Sequence, residues 1–172
     1  SSKNGLQDIE FNSGAYFKSK SGELFFGGIN GVNAFLPSSI KDNLYLPNVK
    51  ITSFKLANKT VDFKDPNSPL KQPISETDEL VLNWNDKVFS FEFVALDLSA
   101  PERNQFAYRL EGFHDDWQYI GTERSATFTN LNPGQYTFWV KATNHDGAWN
   151  EEGVSLKITI LPPWWRSWWA YL

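Results

Sequence analysis

Between Val49 and Ile160 the apolar side chains fall on every second residue in run after run, and this alternation is the strongest constraint on the fold. Leu80, Leu82 and Trp84 share one parity, as do Phe89, Phe91, Phe93 and Ala95. Phe106, Tyr108 and Leu110 repeat the scheme, followed by Tyr136, Phe138, Val140 and Ala142, then Leu156, Ile158 and Ile160. A period of two puts successive side chains on opposite faces of a strand. No window carries a helical period, so the sequence predicts strands throughout. Val49 and Ile51 are followed by Phe54 and Leu56 in the opposite parity, which predicts a bulge near Thr52–Ser53.

Turn formers separate the runs. The stretch from Asp62 to Thr77 holds three prolines, Pro101 interrupts the next connection, and Asn132-Pro133-Gly134 and Asp146-Gly147 are turn sequences. About seven strands in roughly 115 residues are what an immunoglobulin or fibronectin-like sandwich needs. Tyr136, placed just after Pro133-Gly134, suits a tyrosine corner, with its hydroxyl bonded back to a backbone group upstream. The segment before Pro47 differs. Ala15–Phe17, Glu23–Phe26 and Val32–Leu36 are short runs between glycines, and Asn30-Gly31 reads as a type I′ hairpin dipeptide. Three such strands form a small meander that cannot cover both of its own faces and needs a neighbour.

Composition narrows the class. Hydrophobic residues make up 41% and aromatics 16%, enough for a packed core. The net charge of −4 is scattered in single letters, without the basic stripe that nucleic acid or anionic lipid requires. There is no cysteine, hence no disulfide framework and no thiolate metal site. There is no methionine and no apolar leader either, so the sequence reads as a piece of a longer protein.

Tyr108-Arg109-Leu110-Glu111-Gly112, Trp117-Gln118-Tyr119 and Pro133-Gly134-Gln135-Tyr136, followed by Ala142 to Trp149, resemble the triple-tyrosine (Y_Y_Y) domain. Gly22 to Pro37 resembles the final repeat of the two-component regulator propeller that precedes this domain in hybrid two-component sensors. The resemblance implies an all-β chain in three parts: residues 1–46 as the last propeller strands, 47–161 as the sandwich, and 162–172 as the start of a transmembrane helix. It further implies a periplasmic position in a homodimeric inner-membrane receptor whose parent carries a histidine kinase. An oligosaccharide would then bind mainly on propeller surface outside this chain.

No residue set points to catalysis. His114-Asp115-Asp116 offers an imidazole and two carboxylates, but no separated third ligand is visible, and a solvated turn explains it. His145-Asp146 falls in a second turn. No Gly-x-Ser-x-Gly elbow, P-loop or dinucleotide fingerprint appears, so no cofactor is expected. The three tyrosines could line a sugar platform, yet Tyr108 and Tyr136 sit in core parity and read as structural. Trp139 falls on the opposite parity and should point outward, as a contact for the propeller strands or a second subunit. Trp164, Trp165, Trp168, Trp169 and Tyr171 follow Pro162-Pro163 at once, and such aromatics suit the boundary of a membrane.

The reading is therefore a non-catalytic module that couples oligosaccharide sensing by a propeller to a membrane helix. The alternative is a carbohydrate-binding sandwich of a secreted polysaccharide-degrading enzyme, which requires an exposed aromatic platform. A hydrolase built on His114 lacks the spaced carboxylate pair that cleavage needs.

Overall fold

A computed structural model describes residue 6 and residues 10–40, 45–97 and 99–163. It divides into two units, Ser1–Asn43 and Leu44–Leu172. The first is an antiparallel meander in the order β1 (Phe11–Lys18), β2 (Leu24–Gly28), β3 (Gly31–Phe35). Ser19 accepts from the backbone N–H of Gly22 at 3.0 Å, and the positive φ of Gly22, 89°, closes that turn. The second turn departs from expectation by one residue. Gly28 pairs with Gly31, so Ile29-Asn30 occupy the loop and Gly31 opens the strand. Leu24 opposite Phe35 and the stacking of Phe26 on Phe35 at 5.9 Å set this register, and side-chain pairing outweighs the dipeptide preference. Within this unit Tyr16 and Phe17 remain mostly exposed.

The second unit is a sandwich of two sheets. One has the order β10 (Ser125–Thr129), β7 (Val88–Leu96), β4 (Asn48–Leu56), β5 (Lys59–Thr60). The other has the order β6 (Glu79–Asn83), β12 (Val154–Leu161), β11 (Gly134–Ala142), β8 (Phe106–Glu111), β9 (His114–Gly121). All pairings are antiparallel except β6 with β12.

The alternating runs supply the core. Phe54, Phe89, Phe91 and Phe93 from one sheet meet Leu80, Leu110, Phe138, Val140 and Ile158 from the other, all nearly inaccessible. Phe91 stacks on Phe138 at 5.0 Å across the layers. Each such ring contributes about 1.5–3 kcal/mol by leaving water. The β4–β7 register shifts between Ile51 and Ser53, at the parity change near Thr52–Ser53. The connection from Asp62 to Thr77 is more than a polar loop, because Leu70 and Ile74 enter the core from it.

Two sequence expectations are corrected. His114-Asp115-Asp116 does not form a turn but opens β9, an edge strand whose first three residues are exposed and can therefore be polar. Trp84 lies past the end of β6, where Asn83 accepts from the N–H of Asp86 at 2.9 Å and closes a turn.

Candidate functional site

At one end of the five-stranded sheet, Asn132-Pro133 turns the chain into β11. The hydroxyl of Tyr136 donates to the carbonyl of Asn132 at 2.9 Å and ties the turn to the strand it starts. The ring fits because Gly112 leaves room for it. A Cβ on Gly112 would stand 3.0 Å from the Gln135 carbonyl oxygen and 3.3 Å from the Tyr136 ring, and the φ of Gly112 is +90°. A Cβ on Gly134 would stand 3.7 Å from the Tyr136 hydroxyl. Gly112, Pro133, Gly134 and Tyr136 thus form one packing unit joining the β8–β9 turn to the entry of β11.

The three tyrosines do not form a common platform. Tyr108 faces the space between the sheets, edge-on to Phe128 at 5.7 Å and tilted to Phe138 at 6.0 Å. Tyr119 pairs with Ala107, the neighbour of opposite parity, and stands on the outer face. Tyr136 belongs to the corner.

The outer face of β8, β9 and β11 carries a ladder of alternating cations and rings. The Arg109 guanidinium lies 5.5 Å from the Trp139 ring and 4.9 Å from the Trp117 ring. The Lys141 ammonium lies 4.5 Å from Trp117, 5.1 Å from Trp149 and 5.7 Å from Tyr119. Register explains the enclosure. Ala107 pairs with both Lys141 and Tyr119, and its single methyl leaves room for the ammonium among the rings. Lys141 is only 4% exposed, and Glu151 holds its outer side at 2.7 Å. Each such contact is worth about 0.5–2 kcal/mol when desolvated. Trp139 is half-buried on this face, and its indole N–H has no hydrogen-bond partner among the described residues. Sequence reasoning singled out Trp117, Tyr119 and Trp139 but missed Arg109, Lys141 and Glu151. The available signal was the outward parity of Arg109 and Lys141 in otherwise apolar strands.

A second feature joins two loops. Asp97, 2% exposed, accepts from the N–H of Ser99 and the N–H of His145, each at 3.0 Å, and lies 2.8 Å from His145 Nδ1. Burial pushes the Asp97 carboxyl up, but these bonds and the attraction of His145 outweigh it and hold its pKa at about 2. Asn144, fully buried, accepts through Oδ1 from the N–H groups of Asp146 and Ala148 and donates through Nδ2 to the carbonyl of Tyr45. His145 is therefore a clamp between connections rather than a solvated turn residue. Among the described residues no group of three or more His, Cys, Asp or Glu is arranged to hold a metal ion.

Trp164, Trp165, Trp168, Trp169 and Tyr171 lie outside the described residues. Among those described, no helix is long and apolar enough to cross a membrane.

Residues 97–161 match the model of the Y_Y_Y domain. The chain is 34% identical over 167 residues, 97% of its length, to Histidine kinase P4 of Formosa agariphila, of which it spans 12%. It matches the extracellular domain of a protein described as a hybrid two-component system from B. thetaiotaomicron, with 30% identity and a TM-score of 0.70, over 94% of this chain and 22% of that one. A second such extracellular domain from the same organism matches with 26% identity and a TM-score of 0.63, over 87% and 20% of the two chains. The chain is thus related to the extracellular sensor regions of hybrid two-component systems, which is consistent with an extracytoplasmic location.

Proposed function

We propose that this chain is the membrane-proximal end of the sensing half of a hybrid two-component receptor. Residues 1–46 are the last strands of a propeller blade, residues 47–161 the sandwich, and residues 162–172 the start of a transmembrane helix with its aromatics at the membrane boundary. An oligosaccharide binds mainly on propeller surface outside this chain. The sandwich, in a homodimer, passes the resulting rearrangement to the helix and to a cytoplasmic histidine kinase. Trp139 and the ladder around it supply the contact with a second subunit or with the propeller.

The observation that carries this reading is extent. Nearly the whole chain, meander and sandwich together, aligns with one stretch of a histidine kinase. The topology supports it as well. β12 is hydrogen-bonded on both sides, by β6 and β11, so displacement of the sheet displaces Leu161 and the Pro162-Pro163 that follows. Two consecutive prolines make a stiff connection. The carbohydrate-module alternative needs free ring faces, whereas Trp117 and Trp139 turn faces toward Arg109 and Lys141.

The coding sequence on either side tests the proposal. Propeller repeats upstream, with an apolar span and a kinase downstream, are expected. A glycoside hydrolase domain in the same reading frame would overturn it.

A further inference from the structure

We infer that the gap between the two sheets beside β9 and β10 is a binding pocket for one uncharged, hydroxyl-bearing ring of the pyranoside class. The site is separate from the propeller surface invoked above and does not depend on it.

The pocket has an identifiable origin. Tyr108 pairs with Gln118 and Leu110 with His114, so two steps along β8 face four along β9. The two extra residues make a bulge, a feature often found beside functional sites. At the same place the sandwich is open, because β9 and β10 are edge strands of different sheets. The result is a cavity of about 230 Å³. A cavity of this size, open on one side, has room for one ring.

The lining selects the ligand. Tyr108 and Phe128 meet edge-on, with 86° between their planes, and form an aromatic corner. Phe113, 61% exposed, stands at the rim. No carboxylate, ammonium or guanidinium lines the cavity, so an ionic ligand would give up its hydration without a counter-charge. A purely apolar ring is disfavoured for the opposite reason. His114, Gln118 and Tyr108 line the cavity from β8 and β9, with Gln118 and His114 opposite the inward Tyr108 and Leu110, and none of their side chains makes a hydrogen bond to another described residue. Covering them with a hydrocarbon would leave each unsatisfied, at about 1–3 kcal/mol apiece. A pyranoside answers both demands, with hydroxyls for the polar groups and a C–H face for the aromatic corner. One ring in an open pocket binds weakly, with a dissociation constant of about 1 mM.

The test is a titration of the isotope-labelled 172-residue chain, followed by amide shifts, with methyl glucopyranosides, galactopyranosides and mannopyranosides. Phenol serves as the apolar ring and glucuronate as the anionic one. Saturable shifts at Tyr108, Gln118 and Phe128 are expected with at least one glycoside. Phe113→Ala and Gln118→Ala should each weaken binding about tenfold without moving the unfolding midpoint, since neither side chain is in the core. The inference is overturned if no glycoside gives saturable shifts at these residues or if the shifts map to the outer face around Trp139. It is equally overturned if phenol or glucuronate binds as tightly as the glycosides, or if both variants bind like the parent chain.

Discussion

Replacing Asp97 by Asn keeps the side chain's shape and removes its charge. The carboxylate accepts from two backbone N–H groups and from His145 Nδ1 while 2% exposed, and its pKa is held at about 2 against an ordinary 3.8. A shift of nearly two units, at ~1.36 kcal/mol each, corresponds to about 2 kcal/mol of stability at neutral pH. The folded state lowers this pKa, so the contribution is complete above the unfolded value of 3.8 and is lost as the pH falls through about 2. Asp97→Asn should therefore cost about 2 kcal/mol at pH 7, and the gap between the two proteins should close toward pH 2. Urea unfolding followed by tryptophan fluorescence across this range measures it. His145→Ala should give a smaller loss of the same sign, because it removes the largest of the lowering effects but leaves both backbone N–H bonds in place. A difference below about 0.5 kcal/mol at pH 7, the size of an ordinary surface substitution, would refute the argument. So would a larger difference that does not change with pH.

Tyr136→Phe removes the hydroxyl that reaches the Asn132 carbonyl, and thermal unfolding should show a loss of about 1 kcal/mol with the fold unchanged. Ala57 and Asn58 both have positive φ, 46° and 64°, in the two-residue turn between β4 and β5. Ala57→Gly should accordingly stabilise the sandwich by about 0.4–1 kcal/mol in urea unfolding, contrary to the usual effect of glycine. Lys141→Met keeps the apolar stem but removes the ammonium from its rings and from Glu151, and should cost about 1–2 kcal/mol by the same measurement.

Local patterns were readable from the sequence, and long-range pairings were not. Alternation found the buried faces of β7, β8, β11 and β12, because one face of each is covered and the other is not. The parity change at Thr52–Ser53 marked the shift in β4 register. β9 was hidden because an edge strand with exposed His114, Asp115 and Asp116 has no apolar alternation to betray it. β10 buries only Ala126 and Phe128, too short a pattern to separate from a loop. Asp97 and His145 stand 48 positions apart, so nothing local announces their bond. The cage around Lys141 depends on Ala107 lying opposite both Lys141 and Tyr119, which becomes visible only once the strands are paired. At the second hairpin of the meander, Asn30-Gly31 named the correct bend, but ring pairing across the strands moved the turn one residue earlier.

In the proposed function, the sandwich passes its motion on through β12 and the Pro162-Pro163 connection. Inserting a short flexible Gly-Ser segment between Leu161 and Pro162 of the full-length parent, reconstituted in lipid, should uncouple it. Ligand-dependent autophosphorylation of the kinase is the measurement, with ligand binding followed in parallel. Binding should be retained while the ligand's effect on phosphorylation disappears. Phosphorylation that still responds fully to ligand across the flexible insertion would contradict the account.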